Sequence, residues 1–197
     1  MRRKTADNSA WCAARNLQND FLRDCACRRR GYGPGMKYFS WLVAVLFSCG
    51  RLGAAELLPI EQQVAEAVKS SKVTVVHLWA TWCPNCEAEM RNEGWRKFVA
   101  ANPQVNFIFV TVRDEKPGGP ALAKHGLGAQ KNFTHLQHPN TSRHPDTEMT
   151  SFLGQRVGWI PVTWIFRDGR LRYALNYGQI RFPILQQLVE DALPKWD

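Results

Sequence analysis

Hydrophobic positions alternate between helical and strand-like spacing from residue 60 onward. Residues 60–69 have the spacing of an amphipathic helix with one apolar side. Residues 72–79 and 105–112 are nearly continuous apolar runs, which are typical of central strands covered on both faces. The remaining pattern predicts short helices at 121–125 and 146–153, a short strand at 133–137 and a closing helix at 183–193.

A hairpin is predicted before the closing helix. Residues 162–166 and 171–177 are strand-like, and Asp168-Gly169 between them is a strong turn signal. Helix and strand alternate in the first part of this region, and an antiparallel pair follows. The sequence therefore predicts an α/β fold in which helices flank a central mixed β-sheet.

Residues 36–55 have the pattern of an export signal. Met36-Lys37 is a short basic start, residues 39–47 are apolar, and Gly53-Ala54-Ala55 supplies small residues for cleavage. The apolar run is shorter than the about 20 residues that a membrane span needs. We therefore expect a signal peptide, with a short uncleaved anchor as the alternative. Lipidation at Cys49 is a further alternative, because residues 46–49 loosely resemble a lipoprotein cleavage box.

This signal has its own methionine. We therefore expect translation to begin at Met36, so that residues 1–35 would be a start-site misassignment; the alternative is a basic and mostly disordered extension. Residues 56–197 are predicted to be the folded domain. The protein is expected in the periplasm, or anchored to the membrane facing it, with membrane contact only through the N-terminal segment.

Charge and composition exclude several classes. The chain of 197 residues has 26 Lys+Arg against 17 Asp+Glu, and much of this surplus precedes residue 36. The domain itself has no long basic run, so we do not expect a nucleic-acid partner. A hydrophobic content of 45% also excludes a chain that is disordered throughout.

The cysteines indicate chemistry rather than structural cross-linking. Of the 6 in the chain, only Cys83 and Cys86 lie beyond residue 55. A loop this small would stabilise a fold little if the two cysteines were bridged. The pair also follows a predicted strand and begins a predicted helix, whose N–H groups stabilise a thiolate. We expect Cys83 to be the exposed nucleophile and Cys86 the more buried resolving thiol of a thiol–disulfide exchange.

The segment 77–86, HLWATWCPNC, resembles the active-site segment of the thioredoxin superfamily. With Glu89-Met90 after it, it is most similar to the exported TlpA/ResA-like branch, over about residues 58–193. The resemblance implies a thioredoxin-like fold, a redox-active Cys83–Cys86 disulfide, no cofactor and no resident metal. It also implies a helix and strand inserted before the cis-proline strand, and residues 133–153 can serve as that insertion.

The resemblance further implies that Pro161 is cis and that the backbone of Ile160 pairs with an extended substrate beside Cys83. Trp82 is expected to flank the nucleophile and to contact substrates, whereas Trp79 is expected in the core. Family members often use a buried acid near the dithiol. The sequence does not assign it: Glu115 is one candidate, and Glu87 and Glu89 are interpreted as solvated.

His77 departs from the family pattern. Cytosolic thioredoxins carry a buried acid at this position, and TlpA-like proteins often carry an asparagine. On a core strand the imidazole would point beneath the dithiol, where it could accept the Cys86 proton. The alternative is a core histidine with no kinetic role.

The direction of thiol–disulfide exchange and the partners are inferred from weaker sequence signals. Pro84-Asn85 places no charge between the cysteines, which favours a reductase for exported protein thiols or disulfides, such as apocytochromes in cytochrome c maturation. The resemblance also implies a membrane thiol donor. Three alternatives stay open: a copper-binding module that uses both cysteines and a histidine, a zinc site completed by His135 and His138, and a peroxidase.

Overall fold

The structure, a computed structural model, describes residues 57–176 and 178–194, which belong to one compact unit, Leu52–Asp197. Its helices are α1 (Pro59–Val68), α2 (Pro84–Met90), α3 (Gly94–Ala101), α4 (Gly118–Lys124) and α5 (Phe182–Ala192). Its strands are β1 (Thr74–Trp79), β2 (Asn106–Thr111), β3 (Phe133–Gln137), β4 (Ser151–Phe152), β5 (Gln155–Arg156), β6 (Val162–Arg167) and β7 (Arg170–Leu175).

Several sequence predictions lie outside these residues. They are the basic extension over 1–35, the signal peptide over 36–55 and the modification of Cys49. Within the part of the chain that the structure describes, no helix has both the length and the apolar character needed to cross a membrane.

Strand β1 occupies the centre of a five-stranded mixed sheet with the order β3-β2-β1-β6-β7. It runs parallel to β2 and antiparallel to β6, while β3 extends the parallel side and β7 the antiparallel side. All six residues of β1 are buried, so the predicted central strand is confirmed. The register places His77 between Phe109 of β2 and Thr163 of β6.

Two hydrophobic cores cover the two faces of this sheet. One core is built on helices α2 to α5 and contains Cys83, Cys86, Met90, Trp95, Phe98, Leu122, Leu185 and Val189. The other is built on α1 and on the segment before β6, and contains Val64, Val68, Met149, Phe152 and Val157. The dithiol therefore belongs to the helical face of the sheet, directly above the central strand.

The hairpin of β6 and β7 forms as the sequence predicts. Asp168 and Gly169 both have positive φ angles, 50° and 74°. This is the left-handed pair that a two-residue hairpin turn needs, and the Asp-Gly dipeptide adopts it readily. The strand predicted at 133–137 is confirmed as β3, and the short helix predicted at 121–125 begins somewhat earlier, as α4.

The helix predicted at 146–153 is wrong. This part forms a turn closed on the His144 carbonyl, and then the small hairpin of β4 and β5. Leu153 and Gly154 have φ angles of 51° and 71°, which make the tight turn between the two strands. The hairpin forms in place of a helix because it buries Met149 and Phe152 against the α1 side of the sheet. The side chain of Phe152 stacks there on Trp164.

One acidic side chain joins this hairpin to the first helix. The Glu61 carboxylate accepts a hydrogen bond from the Leu58 amide at 3.1 Å, at the start of α1. Its other oxygen accepts one from the Leu153 amide at 2.8 Å, in the hairpin turn. The start of α1 and the inserted hairpin therefore depend on the same carboxylate.

Candidate active site

Cys83 and Cys86 are joined by a disulfide at the first turn of α2, with their Cα atoms 5.2 Å apart. Cys83 is the extended residue that caps the helix, and Pro84 takes the first helical position, where a missing N–H leaves no bond unmade. The Cys86 amide lies 3.3 Å from the Cys83 sulfur and donates to it. In the reduced protein this donor would stabilise a Cys83 thiolate.

The two cysteines differ in burial less than the sequence suggests. Cys86 is fully buried, but Cys83 is itself only 4% exposed, so the prediction of an exposed Cys83 is wrong. In the disulfide, the Cys83 sulfur lies between the Cys86 amide and the Ile160 carbonyl. Cys83 still lines an open cleft on the protein surface, whereas Cys86 does not.

The Ile160–Pro161 peptide bond is cis, as the family resemblance implies. It directly precedes β6, and it turns the Ile160 carbonyl oxygen towards the dithiol, 3.7 Å from the Cys83 sulfur. The predicted site residues Cys83, Ile160 and Pro161 are therefore brought together, although about eighty positions separate them in the chain.

Two buried residues that follow β2 support the turn before Cys83, and the sequence analysis missed both. The Asp114 carboxylate accepts from the Thr81 amide at 2.6 Å and from the Lys116 amide at 2.9 Å. The Arg113 carbonyl accepts from the Trp82 indole N–H at 2.7 Å. These bonds fix the orientation of Trp82, which is 41% exposed beside Cys83.

The Arg113 side chain connects this turn with the insertion. It donates to the Met149 carbonyl at 2.6 Å and to the Val157 carbonyl at 2.6 Å, and it pairs with Glu148 at 3.1 Å. Burial lowers the pKa of this guanidinium, and the nearby Glu148 carboxylate opposes the shift. The backbone of Arg113 is left-handed, with φ 52°, which lets its carbonyl and its side chain serve opposite walls of the cleft.

His77 is fully buried on β1, below the dithiol helix. Its Nδ1 lies 2.9 Å from the Thr163 hydroxyl, and its ring packs at 4.7 Å from both Trp95 and Phe109. Burial lowers the pKa of His77 to about 3, so the imidazole is neutral at physiological pH.

Glu89 is the buried acid of this site, and its prediction as a solvated residue is wrong. It lies one helical turn beyond Cys86, on the same buried face of α2. Its carboxylate accepts from the Trp95 indole at 3.0 Å and from the Ile180 amide at 2.8 Å, and it lies 3.4 Å from His77 Nε2. Burial raises the pKa of Glu89 to about 7, although both hydrogen bonds oppose the shift.

The other acids behave differently. Glu87 is exposed, as predicted, and its carboxylate lies 3.5 Å from the ring of His125. Glu115 is also exposed, so it is not the buried acid near the dithiol. The sequence signal that could have identified Glu89 is its spacing. Glu89 comes three residues after Cys86 and one before Met90, so it lies on the buried face of α2 together with them.

The histidines of the zinc alternative are bonded elsewhere. His135 Nε2 lies 2.9 Å from the Thr111 hydroxyl, and His138 accepts from the Asn140 amide and packs against Phe152. Among residues 57–176 and 178–194, no group of three or more histidine, cysteine, aspartate or glutamate side chains is arranged to hold a metal ion.

The family model described as "Thioredoxin-like domain" matches residues 60–193, which is more than half of the chain. The chain belongs to the thioredoxin-like domain family. The match begins in α1 and ends at the last helix, so it includes the dithiol, the cis proline and the inserted segment.

Individual relatives of this thioredoxin-like domain are distant. The soluble secreted antigen MPT53 of Mycobacterium tuberculosis is 26% identical over 106 residues, which are 53% of this chain and 54% of that protein. The chain thus spans about half the length of the curated relatives it matches. A thiol-disulfide isomerase from Corynebacterium glutamicum shares the fold with a TM-score of 0.50 and 19% identity, covering 66% of this chain and 86% of that one.

The structures of secreted relatives include a disulfide oxidoreductase from Mycobacterium tuberculosis that is described as homologous to Escherichia coli DsbE. It is 24% identical, with a TM-score of 0.47, and the match covers 64% of this chain and 85% of that one.

The thioredoxin-like domain presents a cleft of about 490 Å³ at its dithiol. Cys83, Trp82 and Pro84 form one wall, and Trp159 and Ile160 of the cis-proline loop form the other. Arg113 and Glu148 also line it, and they are paired with each other. The Cys83 sulfur therefore lies where an extended segment of another protein could reach it, whereas the Cys86 sulfur is enclosed.

Proposed function

We propose that this protein is a thiol–disulfide oxidoreductase that reduces disulfides of exported proteins through Cys83 and Cys86. One observation carries the proposal: the two sulfurs are bonded at the start of α2, with Cys83 lining the cleft beside the Ile160 carbonyl and Cys86 enclosed. A dithiol that stabilises the fold would not need one sulfur at a cleft. The family membership is consistent with this chemistry.

The reaction begins with the reduced pair. The Cys83 thiolate attacks one sulfur of a substrate disulfide, and the other substrate sulfur leaves as a thiolate that takes a proton from water. Cys86 then loses its proton and attacks the Cys83 sulfur, which releases the second substrate sulfur as a thiol. Two electrons pass from the protein to the substrate, and the Cys83–Cys86 disulfide is the oxidised product.

The proton of Cys86 needs an acceptor, because that thiol is fully buried. Glu89 can serve as this acceptor, because it lies one turn along the same helix face and its pKa of about 7 suits a group that exchanges protons near neutral pH. His77 is the neutral neighbour of Glu89, and its Nε2 has no hydrogen-bond partner. We propose that Glu89 receives the proton during resolution and that His77, which its lowered pKa keeps neutral, positions the Glu89 carboxylate from 3.4 Å away.

The same acid supports the reducing direction. A dithiol becomes a stronger oxidant when its reduced form is stabilised as a thiolate. Glu89 is negatively charged above pH 7 and lies below the dithiol, so it opposes a thiolate there. Pro84 and Asn85 supply no positive charge that would compensate for it.

Export and partners belong to the same proposal. The segment 36–55 would direct the domain to the periplasm, where exported proteins offer disulfides, including apocytochromes. Oxidised protein would then be reduced again by a thiol carrier in the membrane. Mass spectrometry of the N terminus of protein from a periplasmic fraction tests this: we expect it to begin near residue 56, and a peptide from residues 1–35 would contradict the start at Met36.

Titration of the dithiol against glutathione buffers tests the direction. We expect a reduction potential more negative than about −200 mV, whereas a potential near about −120 mV would indicate an oxidase. If both thiols react with iodoacetamide like free cysteine, and no reversible bridge forms between them, the protein is not an oxidoreductase of this kind.

The Cys86→Ser variant tests for a substrate. Without the resolving thiol, Cys83 should stay bonded to its partner as a mixed disulfide, which can be isolated from the periplasm. The Cys83→Ser variant is the matched control and should trap nothing. A reduced protein that binds copper stoichiometrically, and that traps no partner, would favour the copper-binding alternative.

A further inference from the structure

Two exposed indole rings border the active-site cleft. The described part of the chain exposes five large hydrophobic side chains, of which Trp159 at 70% and Trp82 at 41% line the same cleft. The others lie at the start of the described region or on α5. Exposed tryptophans are uncommon on a protein surface, and two of them beside a reactive sulfur indicate a contact surface.

The segments that carry the two tryptophans both bond Arg113. The Trp82 indole N–H donates to the Arg113 carbonyl, and the Arg143 guanidinium lies 5.3 Å from the centre of its ring. The segment that carries Trp159 is held at Val157, whose carbonyl accepts from the Arg113 side chain at 2.6 Å. Arg113 therefore joins the Trp82 wall to the backbone two residues before Trp159, and this link limits the entropy lost when a ligand binds between them.

The cleft is nearly neutral. Its only ionisable side chains, apart from the cysteine, are Arg113 and Glu148, which neutralise each other at 3.1 Å. The other lining residues are Pro84, Asn85, Gly158 and Ile160, which carry no charge. The lining itself therefore favours an uncharged and apolar ligand, while Arg143 adds one positive charge at the Trp82 ring.

We propose that Trp82 and Trp159 select substrate segments that carry a large aromatic side chain next to the reacting cysteine. This inference rests on the proposed function, because it names the substrate class of the same site. The aromatic ring would lie between the two indoles while the Ile160 backbone holds the segment and Cys83 attacks its disulfide. Such side chains are normally buried in folded proteins. The cleft therefore favours unfolded exported chains over small, charged disulfides such as oxidised glutathione.

Stacking on two indoles has a measurable size. One aromatic pair contributes about 0.5–1.5 kcal/mol, and about 1.4 kcal/mol corresponds to a tenfold change in affinity. We therefore expect a preference of about tenfold for an aromatic neighbour over a serine neighbour in kcat/KM, expressed mainly in KM.

The test uses two disulfide-bridged peptides of equal length and charge, which differ only by phenylalanine or serine beside the cysteine. Reduction of both peptides, and of a small uncharged disulfide, is followed with the full-length reduced protein. We expect the wild-type protein to prefer the phenylalanine peptide about tenfold, and Trp159→Ala, which leaves only the Trp82 indole, to lower this ratio to about threefold. Ile184→Ala, which removes an exposed side chain outside the cleft, should keep the wild-type ratio.

Three results would overturn the inference, and they distinguish its failure from that of the proposed function. If the wild-type protein reduces all three compounds without preference, or if Trp159→Ala keeps the tenfold ratio, the selection by the indoles is wrong while the oxidoreductase stands. If the wild-type protein reduces none of them, the proposed function itself fails, and the inference fails with it.

Discussion

At the scale of single residues, the site contains a buried carboxyl group, Glu89, next to a buried imidazole, His77. His77 and Glu89 come from a strand and a helix, and both are enclosed with Trp95. Burial disfavours the charged form of each group, so it lowers the pKa of His77 and raises the pKa of Glu89. Near pH 6 the pair is therefore neutral, and Glu89 holds the proton.

The first prediction concerns Glu89→Gln. If Glu89 receives the proton of Cys86, the rate of mixed-disulfide resolution should rise with pH through about 7 in the wild-type protein. In the variant this rise should be absent, and the rate at pH 7.5 should fall about 100-fold. Single-turnover release of a substrate thiol measures it. Glu87→Gln, an exposed acid on the same helix, should leave the profile unchanged; an unchanged profile in Glu89→Gln would exclude the acid as acceptor.

The second prediction concerns His77→Asn. The variant should fold normally, because asparagine is smaller and can still bond the Thr163 hydroxyl. We expect resolution to slow about tenfold, since Glu89 loses the imidazole that shares its buried environment. Circular dichroism checks the fold, and single-turnover kinetics checks the rate. Equal rates in the variant and the wild-type protein would make His77 a core residue without a kinetic role.

The residues of the site differ in how well the sequence predicts them. Cys83, Cys86 and Pro161 are predictable because a local motif, or the start of a strand, marks each of them. Glu89 is misjudged because an acid near a helix start is usually solvated, and only the packing of Trp95 and Ile180 shows otherwise. Arg113 and Asp114 carry no local signal at all, since their bonds reach residues far away in the chain.

At the scale of elements, the insertion between β3 and β6 is attached to the active site rather than simply added to the fold. Its hairpin packs on the α1 side of the sheet, and Arg113 bonds two of its carbonyls. The sequence pattern at 146–153 favours a helix, but the buried guanidinium and the burial of Phe152 impose the extended form. Tertiary contacts outweigh local propensity here.

The third prediction concerns Arg113→Met. Methionine keeps much of the side-chain volume but leaves the Met149 and Val157 carbonyls without donors and Glu148 without its partner. We expect the free energy of unfolding to fall by about 3–5 kcal/mol, measured by urea denaturation. Limited proteolysis should also cut residues 140–158 faster. Arg143→Met changes an exposed arginine of the same segment and should lower the free energy of unfolding by less than about 0.5 kcal/mol. Equal stability of the two variants would contradict a stabilising role for the bonds from Arg113 to the insertion.

The fourth prediction concerns the start of α4. A Cβ atom at Gly118 would lie 1.9 Å from the Thr111 hydroxyl oxygen, so the helix or the strand must move. We expect Gly118→Ala to lower the free energy of unfolding by about 1–3 kcal/mol in urea denaturation. Gly119→Ala is the matched control, because its Cβ would meet His135 at an ordinary 3.4 Å. A Gly118→Ala protein as stable as the control would show that the close approach of α4 to β2 is not needed.

At the scale of the whole molecule, the buried pair also determines how stability depends on pH. His77 falls from its usual pKa of 6.5 to about 3, so its contribution to stability is lost as the pH falls through that range. Glu89 rises from 4.5 to about 7, so its contribution is lost as the pH rises through that range. Between about pH 4.5 and 6.5 the two dependences cancel, because one group takes up the proton that the other releases on folding.

The fifth prediction follows from this cancellation. Urea denaturation between pH 4.5 and 6.5 should give a free energy of unfolding that increases with pH in Glu89→Gln. In His77→Asn it should decrease over the same range. Each slope should approach about 1.4 kcal/mol per pH unit, the value for one proton. Parallel curves for both variants and the wild-type protein would mean that the pair does not exchange a proton on folding.

Much of the overall fold is predictable because its central strands are covered on both faces and its hairpin turn has a local signature. Strands β1 and β2 are continuous apolar runs, and Asp168-Gly169 marks the β6–β7 turn. The sheet order and the placement of the insertion are not predictable in this way, because they depend on contacts between distant segments. The chain nevertheless belongs to a family whose fold the active-site segment alone indicates.

Glu61 has a practical consequence for anyone who shortens or tags this domain. One oxygen of its carboxylate accepts a hydrogen bond from the Leu58 amide, and the other oxygen accepts one from the Leu153 amide. A chain that began at residue 60 would lack the Leu58 donor, and Glu61 would then keep only its bond to Leu153 in the hairpin turn. A fusion partner joined at residue 56 or earlier leaves both donors in place, so that junction is where recombinant versions should begin.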